Sequence, residues 1–118
     1  MLIDFWATWC SPCQQPMAHN QSMLDQYGKK WADLDVHIIA ISIDREPAAV
    51  VDHVNQNKWT SIQHYRAADQ SELDKYKVTG VPHTILVNKE GVVVYKGHPC
   101  LRSDLAGDIN KLAKGEEI

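Results

Sequence analysis

Phe5-Trp6-Ala7-Thr8-Trp9-Cys10-Ser11-Pro12-Cys13 decides how this chain reads. Two cysteines stand two residues apart, directly after an apolar run and directly before a helix-forming stretch. A disulfide can close across that spacing. A helix N-terminus beneath the first sulfur favours its thiolate through the helix dipole and free N–H groups. The thiolate is the attacking form in disulfide exchange, so a lowered pKa at Cys10 means reaction at neutral pH. Such a pair has three readings: a redox couple, half a zinc site, or coincidence. A structural zinc site wants four ligands, and the remaining candidates, His98 and Cys100, lie far along the chain. A Cys10-Cys13-His98-Cys100 site is therefore the weaker reading. The strand-to-helix setting within a βαβ pattern favours redox chemistry.

Outward from the motif, Met1–Ala7 reads as a strand buried on both faces, interrupted by the carboxylate of Asp4. Pro12 suits an early helical position, where its missing N–H costs nothing. Gln14–Tyr27 reads as a helix with an uneven apolar stripe of Met17, Met23, Leu24 and Tyr27, and Gly28 is placed as its C-cap. Pro16 must sit in the first turn or bend this helix. Val36–Ile43 is a second β-branched run, read as a buried parallel strand. Asp44-Arg45-Glu46-Pro47 opens a helix to about Asn57 with Ala48, Val51 and Val54 inside. Trp59–Tyr65 reads as a third strand, and Gln70–Tyr76 as a short helix packed through Leu73 and Tyr76. Val78-Thr79-Gly80-Val81-Pro82 is a turn into strand His83–Val87. Asn88-Lys89-Glu90-Gly91 makes a hairpin to strand Val92–Tyr95. A last helix from about Arg102 to Lys114 packs through Leu105, Ile109 and Leu112. The order β-α-β-α-β-α-β-β-α predicts a three-layer α/β sandwich, parallel early and antiparallel late.

The 118 residues suit one domain, residues 1–118. With 44% hydrophobic and 23% charged residues, an ordinary core needs neither disulfide staples nor metal. A net charge of −3 offers no basic face to nucleic acid. No apolar run is long enough to span a membrane, and no leader peptide is visible. The chain starts almost inside a strand, so N-terminal material is expected to have been trimmed. A cytoplasmic protein and the soluble domain of an exported one would read alike.

The segment Ile3–Cys13 resembles the active-site segment of the thioredoxin superfamily almost position by position. Gly80-Val81-Pro82 resembles that superfamily's cis-proline loop, and Lys89-Glu90-Gly91 with Gly97 its final hairpin and turn. The stretch between Asp44 and Pro82 leaves room for a helix and strand that thioredoxin itself lacks. That insertion resembles the branch of TlpA/ResA-type thiol-disulfide oxidoreductases, with tryparedoxin and nucleoredoxin as cousins.

The resemblance implies a mixed sheet with a helix-strand insertion before the cis-proline loop. It implies that Cys10 attacks a substrate disulfide and Cys13 resolves the mixed disulfide. Trp9 and Pro12 would flank the thiols, and Gly97 would lie near them. Pro82 would be cis, setting the Val81 backbone to pair with an extended substrate. Asp4 matches the superfamily's buried acid. Buried without a cationic partner, its pKa should rise, suiting it to take the Cys13 proton. The expected partners are protein or small-molecule disulfides and an electron donor, for a monomer with no cofactor beyond the Cys10-Cys13 disulfide. Reduction fits the likeness, and disulfide oxidation stays open. A redox-inert or metal-binding interaction module of the same fold is the alternative.

Further residues are read less sharply. His83 either faces the active site, titrating near neutral pH, or points to solvent. Cys100 fits a half-buried structural cysteine better than a mixed-disulfide or dimer site. His19, His37, His53 and His64 are read as surface or packing residues, and Trp31 and Trp59 as core.

Overall fold

A computed structural model of the chain describes residues 1–67 and 69–118. Its strands are Leu2–Trp6 (β1), Ile38–Ser42 (β2), Gln63–Arg66 (β3), His83–Val87 (β4) and Val93–Gly97 (β5). They form one sheet in the order β3-β2-β1-β4-β5. The first three run parallel to one another, β4 runs antiparallel to β1, and β5 antiparallel to β4. The α-helices are Gln14–Asp33 (α1), Pro47–Asn57 (α2), Gln70–Lys75 (α3) and Leu105–Ala113 (α4).

Parallel strands need crossover connections, and right-handed crossovers from β1 to β2 to β3 put α1 and α2 on the same face. The packing agrees. Met17 and Trp31 of α1, Val54 of α2, and Ile109 and Leu112 of α4 share one core with Leu2 and Trp6. Leu73 of α3 packs on the opposite face with Phe5, Ile85 and Val87. Each large apolar side chain closed off this way contributes about 1.5–3 kcal/mol. The layers are unequal. Among the described residues one short helix covers the second face and leaves Ile3, Ile39 and Ile41 only half-buried, where the apolar runs read as strands sealed on both sides.

Several boundaries moved for identifiable reasons. Helix α1 does not stop at Gly28 but runs to Asp33. Beyond the glycine, the fully buried Trp31 stacks on Tyr27 at 5.0 Å, and its Nε1–H donates to Asn110 Oδ1 at 2.8 Å. That packing outweighs the roughly 1 kcal/mol a mid-helix glycine costs. Pro16 sits in the first turn of α1, as one of its two readings had it. Helix α2 buries Val50 and Val54, whereas Ala48 and Val51 face solvent, so its inner stripe is shifted from the expected one. Strand β3 starts at Gln63, with Trp59 and Ile62 buried in the approach to it. Tyr76 lies beyond α3 and stays exposed, although its ring reaches Phe5 at 5.7 Å. Helix α4 begins at Leu105 because the Asp104 side chain caps it, accepting the Gly107 N–H at 3.0 Å.

Candidate active site

The site grows from the end of β1. After Trp6 the chain turns, and Cys10 N–H donates to Ala7 O at 3.2 Å. Ser11–Cys13 forms a single 3-10 turn with Pro12 at its start, continuing directly into α1. Cys10 and Cys13 are joined as a disulfide. Cys13 is fully closed off, while Cys10 is 5% exposed at the rim. The Gln14 amide donates to Cys10 O at 2.7 Å, and its Oε1 meets His53 Nε2 at 2.6 Å. Cys10 thus stands at the N-terminal end of a helical segment, where the helix dipole favours a thiolate.

The sheet puts Asp4 on the α1 face of β1. It is 3% exposed. The Asn20 amide of α1 and the Thr84 hydroxyl of β4 both donate to its carboxylate. Burial pushes its pKa up to about 6, against which those two hydrogen bonds pull down. The rise anticipated from an unpaired buried acid is present. The resemblance did not reveal the two donors. Asn20 is the gap in the uneven apolar stripe of α1. Asparagine at a helical position facing the core was the available signal.

The remaining expected site residues fall as follows. The Val81–Pro82 peptide is cis, and Val81 is half-buried, packing against both cores. Trp9 is 68% exposed beside the disulfide loop. Pro12 lies in a groove of about 460 Å³ with Pro16, His19, His98, Pro99 and Cys100. Gly97 ends β5 with φ of +155°, a value only glycine adopts freely.

His83 is half-buried rather than pointing freely to solvent. Its ring lies 6.1 Å from that of Phe5, on the α3 side of the sheet, away from Asp4. Burial and then Lys96 hold its pKa low. Cys100 is exposed with a free thiol, not half-buried. His98 Nδ1 accepts the Cys100 N–H at 3.2 Å, so this histidine shapes its own turn. Among the described residues, no group of three or more His, Cys, Asp or Glu is placed to hold a metal ion, and His98 and Cys100 do not join the cysteine pair in one. His53 and His64 pack around Trp6 with Trp59, as packing residues.

One further residue was missed. Asp44, read only as part of a helix start, is 5% exposed and ties the cysteine loop to β2. It accepts the Thr8 N–H at 3.0 Å, the Thr8 hydroxyl at 2.6 Å and the Ser42 hydroxyl at 2.6 Å. No helix among the described residues is long and apolar enough to cross a membrane.

Comparison with known proteins places this geometry. The family model described as thioredoxin-like matches residues 1–93. The thiol-disulfide oxidoreductase ResA of Bacillus thuringiensis (strain Al Hakam) is 31% identical over 96 residues, covering 80% of this chain and 51% of the relative. The chain therefore spans about half the length of that curated relative. A thiol:disulfide interchange protein from Bacteroides sp. superposes with a TM-score of 0.71 at 29% identity, over 97% of this chain and 72% of that one. StoA from Bacillus subtilis superposes with a TM-score of 0.69 at 20% identity, over 82% and 71% of the two chains, a likeness of fold alone. With its disulfide at the head of α1, its cis-proline loop and its mixed sheet, the chain belongs to the thioredoxin-like family and is similar to the ResA-type proteins within it.

Proposed function

We propose that this chain is the thioredoxin-like unit of a protein-disulfide reductase. The observation that carries the reading is the Cys10–Cys13 disulfide at the head of α1, with Cys13 sealed in the core and Cys10 at its rim. In the reduced protein the Cys10 thiolate attacks one sulfur of a substrate disulfide. A mixed disulfide forms, and the other substrate sulfur leaves as a thiolate that takes a proton from water. Cys13 gives its proton to Asp4 and attacks Cys10 Sγ. This restores the Cys10–Cys13 disulfide and releases the second substrate sulfur as a thiolate, which takes a proton from water while Asp4 returns its own proton to solvent. Two electrons pass from the dithiol to the substrate, and an external dithiol donor returns them.

Cys10 lies at the rim while Cys13 is closed off, which supports Cys10 as the attacking thiol. Asp4, with a pKa raised to about 6, is matched to hold a proton near neutral pH. The Val81 backbone at the cis-proline pairs with an extended substrate segment, and exposed Trp9 with Pro12 and Gly97 gives it a contact surface. Substrates are protein disulfides.

The test is insulin-disulfide reduction with dithiothreitol as donor. The wild-type protein accelerates it and Cys10→Ser abolishes the acceleration. Equal inactivity of the two proteins overturns the enzyme reading in favour of a binding module. A reduction potential near about −270 mV fits a reductant, whereas one near about −120 mV reverses the direction of transfer.

A further inference from the structure

Asn20 occupies a place where α1 has no use for an amide. Cys13, Met17 and Asn20 follow one another at helical spacing, and all three are closed to solvent. A buried amide is tolerated when it makes hydrogen bonds. Asn20 Nδ2 donates to Asp4 Oδ2, yet Asn20 Oδ1, equally buried, has no hydrogen-bond partner among the described residues. The amide is therefore oriented by Asp4, since a carboxylate oxygen accepts only from the NH2 end.

The two donors on Asp4 are not equivalent. The Thr84 hydroxyl donates to a carboxylate or, by rotating, accepts from a carboxylic acid. Asn20 in its present orientation can only donate, which selectively favours the charged form. Asp4 faces Asn20 from α1, Thr84 from β4 and Ala40 from β2, and among the described residues no charged side chain acts on it. Cys10 and Cys13 are held in their disulfide.

We propose that Asn20 is a positioning residue for thiol-disulfide exchange, holding Asp4 as a carboxylate by donating to it through Nδ2. The proposal rests on the reading of Asp4 as the proton acceptor for Cys13. It assigns Asn20 the task of setting the pH at which that acceptor is available.

The experiment is a carboxyl-carbon NMR titration of the oxidised protein labelled at aspartate, beside the pH profile of insulin-disulfide reduction. Asn20→Leu keeps the volume and removes the donor. Its Asp4 midpoint moves up by about one pH unit, a roughly tenfold gain in proton affinity, and the rate profile moves with it. In the wild-type protein the Asn20 side-chain amide resonances shift with the Asp4 midpoint, which decides the matter even if the variant does not fold. A folded Asn20→Leu protein with an unmoved carboxyl midpoint overturns the proposal, as do wild-type amide resonances that stay flat through the titration. A carboxyl midpoint that moves while the rate profile stays in place overturns the proton-acceptor reading of Asp4, and Asn20's part in exchange with it.

Discussion

Asp44, just past the end of β2, grips Thr8, just past the end of β1, accepting its backbone N–H at 3.0 Å and its hydroxyl at 2.6 Å. Two neighbouring parallel strands are thereby joined at their carboxyl ends, where the cysteine loop begins. Asp44→Ala strands the buried Ser42 donor and the half-buried Thr8 donors and costs roughly 2–4 kcal/mol. Urea unfolding of the oxidised protein measures it, and insulin reduction slows as the Trp9-Cys10 loop loosens. Glu46→Ala, on the exposed side of the same turn, stays within about 0.5 kcal/mol of wild type.

Asp4 makes stability depend on pH in a direction opposite to that of an ion-paired carboxylate. Its folded pKa is raised to about 6 from an ordinary 3.8, so the folded state binds the proton more tightly than the unfolded one. The resulting stabilisation is complete below about pH 4 and is lost as pH rises through 6, about 3 kcal/mol in all. Asp4→Asn keeps the shape without the charge and escapes that loss. Its stability advantage over wild type grows between pH 4 and 7 by up to about 3 kcal/mol, measured by urea unfolding of the oxidised proteins. Parallel pH profiles would remove Asp4 as the source.

Gly28 lies inside α1 with helical backbone, and a Cβ there meets nothing within 4 Å. Gly28→Ala therefore raises stability by about 0.5–1 kcal/mol, read as a higher thermal midpoint. A loss of stability would contradict a helix continuous through that position.

Gly97 presents the contrary case. With φ of +155°, a Cβ would also come within 3.0 Å of Tyr95 Oη, whose hydroxyl donates to His98 O at 2.7 Å. Gly97→Ala costs about 1–3 kcal/mol through backbone strain, visible in thermal unfolding. Displacing Tyr95 also loosens the turn that carries His98 and Pro99, visible as faster amide exchange at Cys100.

Elements whose signals are local were readable. Strand β4 matches its apolar run from His83 to Val87, and α2 begins at Pro47 as the proline dictates. Helix ends were less readable. Gly28 carries a stop signal that Trp31 overrides by packing against Tyr27 and bonding Asn110, a partner in another helix. His83 was undecidable in sequence because strand alternation chooses its face, and alternation acquires meaning only when the register with Phe5 is known.

By itself the sequence determined the chemistry: two thiols at the spacing of a disulfide, at the head of a helix, after a strand bearing one lone acid. Those relations span at most a turn or a strand, and local geometry enforces them. Tertiary structure decided what surrounds that device. Thr84, eighty residues from Asp4 in the chain, donates to its carboxylate, and Asp44 ties down Thr8 across 36 residues. A hydrogen bond between such distant positions leaves no periodicity and no spacing rule behind it. It exists only because β1 lies between β2 and β4 in the sheet, which brings three separate stretches of chain to one buried acid and one reactive disulfide.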